Sequence, residues 1–385
     1  MPFGIYIHIP YCVTKCPYCD FNSYGVGSNF PEKEYTDTVL RELELYRNEI
    51  DGAEITSIFF GGGTPSLFDP NSIEKIISDI YKITNPVSDI EISIEVNPKT
   101  ADLEKLKELK SAGINRISTG IQSFSERKLK FLGRINAPED SRRILKDIVK
   151  AGYKNYSMDL MYGTRDETFS EWESDLREAV SFDYPHMSAY CLTIEDGTEF
   201  GRRYALGKLK VPSDDRLSEF IEYTTEFLEN SGYNQYEISN YSRDGLECSH
   251  NMLYWRGQSY VGLGAGAHSH LSSTNSSSWG KRWANLRNPA MYMESVSKGN
   301  KPIDFSEELR CEEAVQDWVL MGLRLKEGVN ISELESRFKI NTDMGKIEKL
   351  VNEGFLENSE FSYRLTKKGN LLSNAVILKI VEALV

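Results

Sequence analysis

Between residues 4 and 194, short apolar runs alternate with amphipathic stretches, and each run gives way to a polar or glycine-rich turn. The runs are GIYIHI (4–9), ITSIFF (55–60), IEISIEV (90–96), RISTGI (116–121), YSMDLMY (156–162) and HMSAYCL (186–192). They are rich in β-branched residues and read as apolar on both faces, the pattern of buried parallel strands. Helical periodicity fills the gaps near 32–50, 70–82, 101–112, 138–151 and 168–181. Strand, helix, strand repeated in this way predicts an α/β fold, with a parallel sheet and right-handed crossovers.

The polar residues that punctuate these runs refine the prediction. A cysteine loop follows the first strand, glycines and a threonine at 61–64 follow the second, and Glu95, Gln122 and Asp159 fall at the ends of the third, fourth and fifth. Ligand groups in parallel α/β folds gather at the carboxyl ends of strands. A site drawing on five strand ends suits the mouth of an incomplete (β/α)6 barrel better than a crevice at one switch point.

The rhythm breaks after 195. A helix near 214–231 leads into a glycine-dense run (GLGAGAHSH, 262–270) and a serine-rich patch (272–278); beyond 303, helices near 307–326, 331–338 and 343–353 precede a hairpin-like alternation and a final helix. The expected organisation is therefore a partial barrel (1–195), a barrel extension (196–303) and a winged-helix-like α+β module (304–385). Winged helices often bind DNA, but acidic residues outnumber basic ones through 304–360, which favours packing or docking.

Composition narrows the context. With 45 Lys and Arg against 58 Asp and Glu, the chain carries a net charge of -13 and has no basic stripe to hold a nucleic-acid backbone. No apolar run is long enough to span a bilayer, and the first ten residues alternate like a strand instead of forming a signal peptide; a cytoplasmic location is expected. Six cysteines in 385 residues are too few for a disulfide scaffold, so three of them within eight residues point to metal or redox chemistry.

Those three, Cys12, Cys16 and Cys19 in YCVTKCPYCDF (11–21), are spaced C-x3-C-x2-C. A structural zinc would need a fourth ligand from His8 or Asp20. A dithiol oxidoreductase would leave Cys12 without a role. A [4Fe–4S] cluster held by three thiolates would keep one iron open for a chelating ligand.

The loop resembles that of the radical S-adenosylmethionine (SAM) superfamily, in which the amino and carboxylate groups of SAM chelate the open iron and an electron from the cluster cleaves the sulfonium. The resemblance covers nearly the whole chain. It implies that Tyr18 contacts the adenine, that Gly62, Gly63 and Thr64 in FFGGGTPS receive SAM's amino group, and that Tyr6, Glu95, Gln122, Arg134 and Asp159 complete the SAM site. Position by position these match the oxygen-independent coproporphyrinogen oxidase branch. Phe21, however, stands where the oxidase has a fourth cysteine, and the motif starts early in the chain; both features match the HemW-type haem chaperone branch. So does HNMLYW (250–255), which in that branch is assigned to haem and makes His250 the expected iron ligand with Tyr254 and Trp255 beside it. On physical grounds a histidine next to aromatics is either an axial ligand or a hydrogen-bonded core residue. Cys248 is a competing soft ligand, and His268 and His270 are further imidazoles.

The resemblance thus implies a [4Fe–4S] cluster, SAM and haem. It also implies apo-haemoproteins or haem donors as protein partners, membrane contact only through them, a homodimer, and no nucleic acid. The competing expectation is a radical SAM enzyme acting on a tetrapyrrole, by coproporphyrinogen III decarboxylation, or a small-molecule methyltransferase.

Overall fold

The structure, a computed structural model, describes residues 2–27, 29–273, 279–359 and 362–384. Six parallel strands, β1 (Phe3–Ile9), β2 (Glu54–Gly62), β3 (Asn85–Val96), β4 (Arg116–Gln122), β5 (Asn155–Tyr162) and β6 (His186–Cys191), pair in sequence order. The helix between each pair covers one side. In the helix Pro70–Tyr81, capped by Asp69, isoleucines at 73, 76, 77 and 80 form a single buried stripe. The helix Phe169–Ser181 starts with a capping box between Thr168 and Glu171.

The extension is built into the same sheet. β7 (Asn234–Gln235) and β8 (Asn240–Ser242) add antiparallel to the β6 edge. On the opposite edge β9 (Ser259–Leu263) pairs parallel with β1, so a seventh parallel strand joins the six expected. β10 (His268–Ser272), β11 (Gly280–Asn285) and β12 (Ile303–Glu308) continue antiparallel from it. The order is β12-β11-β10-β9-β1-β2-β3-β4-β5-β6-β8-β7, and among the described residues no pairing joins the two ends. The barrel therefore stays open.

Two elements differ from the sequence reading. The segment expected to begin a helix at 307 is first a strand: β12 completes the sheet edge against β11, and the helix Cys311–Gly322 starts only after Arg310, whose backbone N–H donates to the Glu313 carboxylate. The strands are also not apolar on both faces. One face is apolar, with Ile5 and Ile7, Ile58 and Phe60, Ile92 and Ile94, Met158 and Leu160 buried in the main core. The other alternates in small, polar and charged residues, because it lines a cavity.

The C-terminal helices Cys311–Gly322, Ile331–Phe338, Met344–Asn352 and Ser373–Val381 enclose a second core with the hairpin Leu356–Ser359/Ser362–Leu365. The hairpin's tip at 360–361 and residues 274–278 of the serine-rich patch lie outside the described residues.

Candidate functional site

On the polar face of the parallel sheet, side chains from all six strands line one cavity of about 410 Å³. Its walls include Tyr6 from β1, Phe59 and Gly62 from β2, Glu95 from β3, Arg116 and Ser118 from β4, Asp159 from β5, and His186, Ser188 and Tyr190 from β6. Glu95 accepts the Gly62 N–H at 3.1 Å. Burial, reinforced by Asp159, pushes its carboxyl up to about 8. Asp159 is itself raised to about 6 by burial, against Ser188, Arg116, Ser118 and Arg134. Two carboxyls facing one enclosed space with elevated affinities for protons are poised to receive a cationic or hydroxyl-rich ligand.

Phe21, at the end of the cysteine loop, contributes to the wall of this cavity, and Cys16 lines a small cleft with Thr64 and Arg134. All six cysteines are free thiols. Cys12 is buried and its Sγ accepts from Thr64 Oγ1 at 3.4 Å, Cys16 Sγ lies 3.9 Å from Arg134 Nη1, and Cys19 Sγ is 3.8 Å from Ser23 Oγ. Burial raises the Cys12 and Cys19 thiols. Among the described residues no three of His, Cys, Asp and Glu close on a single ion position. Asp20 is exposed and both ring nitrogens of His8 are engaged, by Tyr6 OH and the Asn22 carbonyl. Three thiols without a fourth protein ligand fit a multi-iron cluster with one open iron, and thiolate ligation would offset the raised thiol pKa values.

The glycine turn is locked to that loop. Gly63 N donates to Ile9 O at 2.7 Å and Thr64 N to Tyr11 O at 2.8 Å. A Cβ on Gly62, whose φ is 109°, would stand 2.5 Å from the His8 ring, and one on Gly63 would meet the Tyr11 and Ile9 carbonyls at 2.7 and 2.8 Å. The turn's N–H groups are thus spent on structure, and an ammonium placed here would be received by carbonyl oxygens.

Arg134 joins loop and sheet. Its guanidinium donates to Gly120 O at 2.6 Å, reaches Cys16, and has no carboxylate partner among the described residues. Gln122, at φ 67°, is one of four non-glycine residues in left-handed conformation among the described residues, a strain that concentrates at ligand sites. Tyr18 packs beside Arg134 and Phe200, its ring 6.4 Å from the latter.

At His250 the structure shows the hydrogen-bonded core arrangement that the sequence left open beside iron ligation. The imidazole is fully buried, with Nδ1 hydrogen-bonded to Ser57 Oγ at 2.7 Å and Nε2 to Tyr254 OH at 2.8 Å. Burial, with Arg116 nearby, lowers it to about 3. Both nitrogens are satisfied within the core, so coordination of iron would require Tyr254 to let go. Cys248 is likewise buried, donating to Glu91 at 3.6 Å. Tyr254 and Trp255 are half-buried and line both this cavity and a larger one of about 1170 Å³ behind it, as do Tyr6 and Phe21. Phe21 is 62% exposed.

Sequence reasoning missed Arg116, Ser118, His186, Ser188 and Tyr190. The signal was present: within RISTGI and HMSAYC the polar residues fall at alternate positions, which marks a cavity face and not a buried one.

The radical SAM superfamily model matches residues 6–179 and the HemN C-terminal domain model residues 309–372. Heme chaperone HemW of Escherichia coli is 33% identical over 378 residues, covering 98% of this chain and 97% of that one. That of Haemophilus influenzae is 35% identical over 390 residues, with 98% and 97% covered, and that of Bacillus subtilis 33% over 375, with 96% and 97%. The solved structure of coproporphyrinogen III oxidase (HemN) from Escherichia coli superposes with a TM-score of 0.82 at 20% identity, covering 99% of this chain and 89% of that one. That likeness shows the fold, a radical SAM α/β sheet that does not close.

Proposed function

The chain belongs to the HemW haem chaperone family, and from that premise we propose that it holds haem and delivers it to apo-haemoproteins, with a [4Fe–4S] cluster and SAM controlling transfer. The observation that carries this reading is a pair of adjoining cavities with different chemistry. The smaller sets the carboxyls of Glu95 and Asp159 beside Arg116, Ser118 and Ser188, with Phe21 from the end of the cysteine loop at its wall. The larger is aromatic and roomy enough for a second ligand, near the ~300–1,000 Å³ range of small-molecule sites.

In this proposal Cys12, Cys16 and Cys19 hold the cluster, which supplies an electron and one open iron when bound. Gly62, Gly63 and Thr64 present carbonyl oxygens to SAM's ammonium, and Arg134 offers its guanidinium to the carboxylate. Glu95 and Asp159 bind hydroxyl or ammonium groups, Gln122 and Tyr6 shape the floor, and Tyr18 flanks the adenine. Tyr254, Trp255 and Phe21 form the partition toward the cargo. No helix in the described residues is long and apolar enough to cross a membrane. A cytoplasmic location, partners that are haem donors or acceptors and not nucleic acid, membrane contact through those partners, a homodimer, and domain divisions at 195 and 303 belong to the same proposal.

The test is to load the anaerobically reconstituted protein with ferric haem, add an apo-haemoprotein, and follow the Soret band with and without SAM. A parallel assay looks for 5′-deoxyadenosine and decarboxylated coproporphyrinogen III. Transfer to the acceptor without porphyrinogen turnover supports the chaperone. SAM-dependent porphyrinogen conversion with no saturable haem binding would return the chain to the oxidase reading.

A further inference from the structure

The chain has five histidines, and the structure sorts them by what their rings already do. His8 is bonded to Tyr6 and the Asn22 carbonyl, His186 to Ser157 and Tyr236, and His250 to Ser57 and Tyr254. These three use both ring nitrogens in the fold. His268 and His270 have no hydrogen-bond partner among the described residues, and both line the 1170 Å³ cavity. They sit at i and i+2 on β10, hence on one face of the strand, His268 exposed at the rim and His270 half-buried inside.

The rest of that cavity is suited to a flat, doubly anionic ring. Its floor is the β9–β12 part of the sheet, where Tyr260 stands 6.3 Å from the His270 ring. Its opposite wall is the C-terminal module, which contributes Trp318 and Met321 from the helix Cys311–Gly322 and Phe338 from Ile331–Phe338. Three arginines line it, Arg282 and Arg337 half-buried and Arg287 exposed at the rim. Arg282 is neutralised by Glu307 and Asp317. Arg337 and Arg287 have no carboxylate within ion-pair distance among the described residues, and the Arg337 Nε is buried without a hydrogen-bond partner. Two uncommitted guanidinium groups match two carboxylates. The lining acids not tied to Arg282, Asp20 and Asp304, are exposed.

We propose that the haem cargo sits in this cavity, between the antiparallel sheet extension and the C-terminal module, with His270 as its axial ligand and Arg337 and Arg287 receiving its propionates. This rests on the haem-chaperone reading and relocates the iron ligand away from His250. The geometry of the alternative is unfavourable: His250 opens only toward the 410 Å³ cavity that holds Glu95 and Asp159, so haem bound there would displace SAM.

The experiment is a ferric haem titration of the full chain, read by Soret position and electron paramagnetic resonance, on wild type, His270→Ala, His250→Ala and the double variant Arg287→Gln/Arg337→Gln. Thermal melts accompany each, because His250 is structural. His270→Ala is expected to lose the histidine-ligated spectrum and to weaken binding ~10-fold or more, with added imidazole restoring the spectrum. The double variant is expected to weaken binding about 10-fold without moving the Soret band. If His270→Ala binds haem with the wild-type spectrum, or a folded His250→Ala alone loses it, the proposed ligand is wrong while the chaperone reading stands. If wild type itself binds no haem, the chaperone reading fails and this inference with it.

Discussion

Glu95 shows what the cavity costs the fold. Its carboxyl, raised from an ordinary value of 4.5 to about 8, stays protonated in the folded protein over a range where the unfolded chain ionises. The unfolded state then binds fewer protons than the native one, so this contribution is complete below pH ~4.5 and is lost as pH climbs toward 8. Glu95→Gln keeps an acceptor for the Gly62 N–H and removes the ionisation. In the absence of SAM its thermal midpoint should match wild type near pH 4 and exceed it at pH 8 by an amount equivalent to ~1 kcal/mol or more, measured by calorimetry across that range. Equal pH slopes for the two proteins would refute the assignment. Gly62 carries the opposite sensitivity. Gly62→Ala forces a Cβ into the His8 ring at φ 109°, and is expected to lower stability by about 1–3 kcal/mol and to reduce iron bound per chain on reconstitution, read by iron analysis.

At the level of elements, the helix Ser249–Trp255 is held at its start by a residue far away in sequence. Glu91 on β3 accepts from Ser249 N at 3.1 Å and His250 N at 3.2 Å, and lies 3.8 Å from Arg116. A carboxylate that satisfies orphan N–H groups at a helix N-terminus, buried beside an arginine, is costly to remove. Glu91→Gln should therefore destabilise the protein by ~2–4 kcal/mol, and hydrogen exchange should show the loss first in residues 249–255. If exchange rises uniformly instead, Glu91 does not organise this helix. None of this was legible from HNMLYW, where a histidine beside aromatics reads more readily as a core residue than as a ligand and only the family resemblance favoured the ligand; the bonds to Ser57 and Tyr254 become visible only in the fold. The same limit applies to the edge strands. β7 to β12 are two to six residues long, and all but the buried, polar β8 are partly exposed, so they lack the continuous apolar runs that announced β1 to β6, and their pairing depends on long-range contacts that no local pattern encodes. The cysteine loop, Glu95 and Asp159 were legible because they end strands whose apolar faces were strongly patterned.

For the whole molecule, the two cores divide the work. The first runs from Phe3 to Val296 and the second from Leu309 to Ala383, and the larger cavity lies against both, with Leu309 and Phe338 on one side and Trp283 on the other. Ligand bound there should stabilise the C-terminal core against the sheet, so saturating ferric haem is expected to slow proteolysis within 304–385 by several-fold, seen as delayed fragment appearance by mass spectrometry. Unchanged cleavage would place the ligand elsewhere.

Tyr6, Phe21, Tyr254 and Trp255 belong to both cavities at once. If SAM and haem occupy these two spaces as proposed, any coupling through the shared wall is reciprocal: whatever factor SAM applies to the affinity for haem, haem must apply to the affinity for SAM. Isotherms for each ligand taken with and without the other must yield one and the same coupling constant, and its sign would say whether the cofactor acts as a latch that retains the cargo or as the signal that releases it.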